Sequence, residues 1–178
     1  MRVAEAGESS DTHGMFEHFS DRGRRVAVLA QEEARCLGDP WIGDEHLFWA
    51  LAANSESEAS QAFTAAGPTP AQIHDALASS HISSDEPASQ NLLFNAAAKR
   101  VLERARHLAF GEPGGVVTTA HILEGTLATP STRLAETLIH LSVNRSTLLD
   151  EGRRAHRADT ETKPHRPFDR GRGLNREP

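Results

Sequence analysis

The chain has 178 residues, a mass of 19.3 kDa and a formal net charge of −6, with 38% hydrophobic and 25% charged residues. That is ordinary for one globular domain, or two small fused units, with some unstructured flank. No run approaches the roughly 18–20 apolar residues of a transmembrane helix. The start, residues 1–14, carries Glu5, Glu8 and Asp11 without an apolar block, so it reads as an unstructured extension and not as a signal peptide. The one cysteine, Cys36, makes neither an internal disulfide nor a thiolate metal cage, and a reducing cytoplasm is the expected compartment. No G-x-x-x-x-G-K-[ST] motif is present, which excludes a Walker-type NTPase.

Charge is unevenly spread. Residues 153–178 hold 8 Lys/Arg and 4 Asp/Glu, a net of +4, so the remaining 152 residues carry −10. Phosphate repels such a body, and nucleic-acid binding by it is not expected. Residues 155–178 offer Ala155, Ala158, Phe168 and Leu174 as their apolar side chains, too few to offset ordering entropy. They read as a disordered basic tail that keeps the chain soluble, with contact to RNA, DNA or an acidic partner as the alternative.

Between these flanks the chain repeats itself at an offset of 75 residues. Phe19-Ser20 falls on Phe94-Asn95, Arg24-Arg25-Val26 on Lys99-Arg100-Val101, Ile42 on Val117, His46-Leu47 on His121-Ile122, and Thr69 on Asn144, without a gap. Two copies of one unit, residues 15–80 and 91–154, are predicted, joined by a polar linker at 81–90 that contains Pro87.

Each unit reads as four short helices. Ser20 is a fit N-cap with Asp21 behind it, and Val26, Leu29, Ala30, Ala34 and Leu37 form one face before Gly38 stops the helix. A second helix starts near Asp44 with Leu47, Phe48, Ala50 and Leu51, and a third spans Glu58 to Ala66. The fourth opens on Thr69-Pro70-Ala71-Gln72, a capping box with proline at the first helical position. In the second unit Val101, Leu102, Ala105, Leu108 and Ala109 repeat the first face, and Asn144 caps the last helix. No stretch alternates in the manner of a strand, so the predicted fold is all-α: two pseudo-symmetric four-helix repeats packed together.

His46 and His121 occupy equivalent places. Zinc needs more ligands at metal spacing, so a structural imidazole bonding a loop carbonyl is expected, and neither a metal nor another cofactor is. Cys36 fits no Cys/His catalytic pattern and reads as a small, partly buried residue; Trp41, Phe48 and Trp49 read as packing. Neither G-x-S-x-G nor H-E-x-x-H is present, and no catalytic residue and no enzyme activity are expected.

The stretches Met15-Phe16-Glu17-His18-Phe19-Ser20-Asp21-Arg22, Arg24-Arg25-Val26, Val28 to Arg35 and Ile42-Gly43-Asp44-Glu45-His46-Leu47 resemble the Clp repeat (Clp N-terminal) domain, most closely the ClpC type of Gram-positive chaperones. The resemblance covers residues 15–154 and is weaker in the second repeat, where Lys99-Arg100-Val101-Leu102-Glu103 and His121-Ile122-Leu123 carry it. In large family members this domain precedes two AAA+ modules and receives substrates and adaptors. The resemblance implies a stand-alone N-domain, since no such module fits in this chain: a monomeric binding protein meeting Clp-system proteins or degron-bearing substrates.

The resemblance also implies two ligand surfaces. ClpC-type domains hold phosphoarginine at a helix N-terminus with a capping hydroxyl, facing a carboxylate that takes the guanidinium. Ser20 and Glu45 stand at those positions in repeat one, whereas repeat two has Asn95 and Ala120 and is expected to be weak. A groove between the first helices binds cyclic peptide antibiotics in family members, and Phe16, Arg24, Phe94, Lys99 and Glu103 match it here. A decoy that captures such peptides is the alternative function. The plainer roles are that Ser20 caps its helix and that the two phenylalanines pack the seam.

Overall fold

Ser20, in extended conformation, accepts a hydrogen bond from the Gly23 N–H at 3.0 Å and starts helix α1, Asp21–Leu37, as its capping chemistry predicts. Gly38 ends α1 with a φ of 74°, a left-handed position that suits glycine, and the Asp39 N–H turns back to the Ala34 carbonyl at 2.8 Å. Strand β1, Trp41–Ile42, leads into α2, Asp44–Ala53, then α3, Glu58–Ala66, and α4, Pro70–Ser79, whose Thr69–Gln72 capping box is formed. The second half repeats the order: β2, Leu93–Phe94; α5, Ala96–Phe110; α6, Thr119–Ala128; α7, Thr132–His140; α8, Arg145–Thr162. This computed structural model describes residues 14, 16–80 and 92–162. The expected extension before Gly14, the linker at 81–90 and the tail beyond Thr162 lie outside the described residues. Among those described, no helix is long and apolar enough to cross a membrane.

The fold is all-α in its architecture, and two short strands modify it. β1 pairs in parallel with β2, Trp41 opposite Leu93 and Ile42 opposite Phe94. Shifted by 75 residues, the same pairing recurs as a bridge between Phe19 and Val117. The Asn95 N–H bonds the Ile42 carbonyl at 2.9 Å, and the Ser20 N–H bonds the Val117 carbonyl at 2.9 Å. Strand was not expected, because two residues are too few to show an alternation.

Each strand joins one repeat to the other, and so do the helices. α2 and α6 pack against each other at the centre, where Leu47, Phe48, Leu51, Ile122 and Leu123 are fully buried. α1 lies on α2 and α5 on α6 within a repeat. The third helices cross over: α3 packs along α8, and α4 touches α7. The repeats are therefore interlocked: beyond the packing together that was expected, each half lends a helix to the other.

Two boundaries also move. The third helices correspond at an offset of 74, Glu58 on Thr132, and the register returns at Ser142, an added residue with a φ of 51° before α8. The repeat thus does need a gap. The tail predicted to begin at residue 155 is helical through Thr162. His156, whose side chain approaches Glu112 at 3.0 Å, and Asp159, 3.8 Å from Arg22, hold this last stretch against the body.

Candidate functional site

Among the described residues, the N-terminus of α2 gathers the most buried charge. Gly43 precedes the helix, and its N–H donates to His46 Nδ1 at 2.9 Å. That bond leaves the imidazole proton on Nε2, which donates to Asp39 Oδ2 at 2.8 Å. A structural imidazole bonding a loop carbonyl was expected; His46 is a structural imidazole, but its partners are an N–H and a carboxylate. Arg133, from α7 of the other repeat, completes the cluster. Its Nη1 lies 2.8 Å from Asp39 Oδ2 and 3.2 Å from Glu45 Oε1, and its Nη2 reaches the Leu77 carbonyl at 3.3 Å. Beside it, the Ser131 N–H at the start of α7 donates to Asp44 Oδ2 at 2.7 Å.

These carboxylates respond in opposite senses. Burial works to raise the Asp39 carboxyl, but the His46 and Arg133 hydrogen bonds overcome it and hold Asp39 below its ordinary value. Burial pushes the Glu45 carboxyl up; His46 opposes this, and neighbouring Asp44 adds to the rise. A Cβ at Gly43 would stand 2.3–2.5 Å from the Glu45 carboxylate, so a side chain there would displace that carboxylate.

Ser20 and Glu45 do not meet. α1 and α2 run antiparallel, and Asn54, at the far end of α2, donates to the Arg22 carbonyl in the first turn of α1 at 2.8 Å. About 13 Å of helix separates Glu45 from that end. Strand exchange instead ties Ser20 to Val117, three residues before Ala120, and Asn95 to Ile42, three residues before Glu45. One end of the domain therefore has the hydroxyl cap without the carboxylate. The other has the carboxylate with an asparagine cap, and there Arg133 already supplies the guanidinium. Asp39 and Arg133 went unread in the sequence, since the contact closes between residues 94 apart.

The second half builds a looser counterpart. The Thr118 N–H donates to His121 Nδ1 at 3.1 Å, and His121 Nε2 lies 3.3 Å from Glu112 Oε2, which also approaches His156. Burial keeps the His121 imidazole below its ordinary value, against the pull of Glu112. Where Asp44 stands in repeat one, Thr119 bonds Glu58 at the start of α3.

At the seam between the repeats, two of the residues expected to line a groove, Phe16 and Phe94, come together. The Phe16 ring stands 5.9 Å from Phe94 and 4.9 Å from Phe19, and Phe16 and Phe94 remain half-buried against the core. Arg24 Nε donates to the Phe16 carbonyl at 3.3 Å and Arg24 Nη1 pairs with Asp21 at 2.9 Å. Lys99 and Glu103 lie one turn apart on α5, both exposed. Phe48 is fully buried and Trp49 half-buried, as expected of packing residues, whereas Trp41 is 52% exposed beside exposed Leu93. Cys36, expected to be partly buried, is exposed.

The sequence profile of the Clp repeat (R) N-terminal domain matches residues 18–151. Over 130 residues the chain is 33% identical to the negative regulator of genetic competence ClpC/MecB of Bacillus subtilis, and 30% identical to the chaperone protein ClpB of Oceanobacillus iheyensis. Each match covers 73% of this chain and 16% of the relative, so the chain spans about one sixth of their length. Among solved structures it is similar to the N-terminal domain of ClpD from Arabidopsis thaliana, with a TM-score of 0.69, 25% identity, and coverage of 80% of this chain and 96% of that one. A ClpV N-domain in complex with a VipB peptide shares the fold, with a TM-score of 0.56, 16% identity, and coverage of 85% and 98%. With the duplicated helices, the strand exchange and the profile in agreement, the chain belongs to the Clp repeat N-terminal domain family.

Proposed function

We propose that this domain is a non-catalytic protein- and peptide-binding module, similar to the substrate- and adaptor-binding N-domains of Clp chaperones, and that it receives its ligand at the inter-repeat seam. The observation that carries this reading is the pairing of Phe16 with Phe94. The two rings come from different repeats, touch at 5.9 Å and stay partly open to solvent. Flat aromatic area flanked by exposed charge suits a peptide, whose side chains cover the rings while its backbone and termini meet Arg24, Lys99 and Glu103. The ligand is a degron-bearing or adaptor segment of the Clp system, met in the cytoplasm. The ClpV N-domain seen with a VipB peptide supports peptide capture by this fold.

A cyclic peptide is the second ligand class, favoured by the residue types that the sequence keeps at Phe16, Arg24, Phe94, Lys99 and Glu103. Phosphoarginine has weaker support. The hydroxyl of Ser20 and the carboxylate of Glu45 stand at opposite ends of the α1–α2 hairpin, and Arg133 already sits on Glu45. Calorimetry with a cyclic peptide of the Clp-binding class, a degron peptide and free phosphoarginine separates the three. Binding of either peptide that weakens at least tenfold in Phe16→Ala and Phe94→Ala supports the seam. Binding that both variants leave unchanged overturns it.

A further inference from the structure

The residues described bring three groups of His, Cys, Asp and Glu close enough to share an ion: Asp39–Glu45–His46, Glu112–His121–His156 and Glu33–Cys36–His74. The proton on each imidazole separates them. His46 and His121 each accept a backbone N–H at Nδ1, which fixes the proton on Nε2; that nitrogen donates to Asp39 in His46 and lies 3.3 Å from Glu112 in His121. A metal at Nε2 would have to displace the proton and break the bond that starts α2 or α6. His74 carries no such bond: its Nδ1 faces Glu33 Oε1 at 2.7 Å, an oxygen that accommodates a proton or a metal ion equally.

The structure assigns Glu33, Cys36 and His74 as a binding site for a single divalent metal of borderline softness, of which Zn²⁺ is the best match. Glu33 and Cys36 are three residues apart on α1 and so share one face across one turn. His74 reaches them from α4. The three donor atoms lie within 4.8 Å of one another. Around tetrahedral zinc, with bonds of about 2.0–2.3 Å, donors stand roughly 3.3–3.8 Å apart, so modest side-chain rotation brings all three to the ion. The carboxylate, imidazole and thiolate set is a zinc set, and the thiolate disfavours magnesium and calcium. Glu33 is 3% exposed while Cys36 is exposed, so the ion would be anchored from beneath and open above, where solvent fills the fourth position. Both halves of the site sit on helices packed against α2, which pre-positions the donors. Loading releases the thiol proton and moves the His74 imidazole proton from Nδ1 to Nε2, so affinity rises with pH. The sequence hid this site because its ligands lie on two helices, 38 residues apart between Cys36 and His74.

Cobalt(II) added to the full chain tests the assignment, because Cys36 is the one cysteine and any thiolate signal must come from it. The expected result is one equivalent of Co²⁺, with a near-ultraviolet sulfur-to-cobalt charge-transfer band and strong visible bands of tetrahedral symmetry, all displaced by Zn²⁺. Cys36→Ser should abolish the charge-transfer band, and His74→Ala should weaken Zn²⁺ binding at least tenfold by competition with a chromophoric chelator. Both positions are solvent-accessible, so the variants should keep wild-type circular dichroism. Wild-type protein without the charge-transfer band, or a His74→Ala variant with undiminished zinc affinity, overturns the site.

Discussion

Replacing Arg133 by alanine removes the cation from Asp39 and Glu45 and leaves two carboxylates buried at the α2 N-terminus. Breaking a buried ion pair from one side costs about 3–5 kcal/mol. Arg133 keeps 24% of its side-chain surface in solvent, so water screens part of the interaction, and about 2–4 kcal/mol is expected at pH 7. The sign with pH follows from the two acids. Asp39, held low, contributes stability above its unfolded value that is lost as pH falls through its folded one; Glu45, held high, costs stability above its folded value and recovers it as pH falls. Without Arg133, Asp39 loses one of the hydrogen bonds that hold it low, so its carboxyl takes up a proton at a higher pH than in the wild type, while Glu45 is already held high. The gap between variant and wild type should therefore be widest at pH 7 and should narrow toward pH 5. Urea unfolding followed by far-ultraviolet circular dichroism at both values measures it. A loss below about 1 kcal/mol at pH 7, or an equal loss at the two pH values, refutes the picture of a buried, charge-paired arginine. Glu45→Gln is the companion: Asp39 still holds Arg133, so the change should stay within about 1 kcal/mol.

Gly125→Ala would set a Cβ 2.8 Å from the Val101 carbonyl where α6 meets α5, and should cost about 1–3 kcal/mol in the same assay. In His121, NMR titration of the ring protons should give a midpoint below the ordinary 6.5; the unfolded chain then binds the proton first, so this residue withdraws stability as pH falls below that value. Ending the chain after Arg154 would remove His156 and Asp159 with their contacts to Glu112, Thr118 and Arg22, and should lower stability by about 1 kcal/mol while the seam keeps its ligand.

Local signals were readable where the cause is local. Ser20, Thr69 and Asn144 announce helix starts because a cap needs only a side chain and the next turn. Gly38 announces a stop because left-handed backbone is cheap for glycine. The Phe16–Phe94 seam was legible through the family resemblance. What escaped was whatever closes over distance. The pairing of Ile42 with Phe94 leaves no trace in a two-residue strand. The crossover of α3 and α7 is invisible to a repeat offset, which records likeness between units and is silent on which unit touches which. Arg133 sits in a polar stretch that gives no warning of a carboxylate 94 residues earlier. α8 outran its predicted end because its sequence favours helix, and its anchors, His156 and Asp159, find partners far back in the chain.

Because each repeat lends its third helix to the other, neither half closes a core by itself. A lone repeat would bare the apolar flank that its counterpart's helix shields and a strand edge with no neighbour. Such a fragment should be insoluble or should find a second copy of itself, and the two halves mixed as separate polypeptides should dock into one body without any covalent tether. A single-repeat forerunner would then have worked as a homodimer, with gene duplication later writing that dimer into one chain.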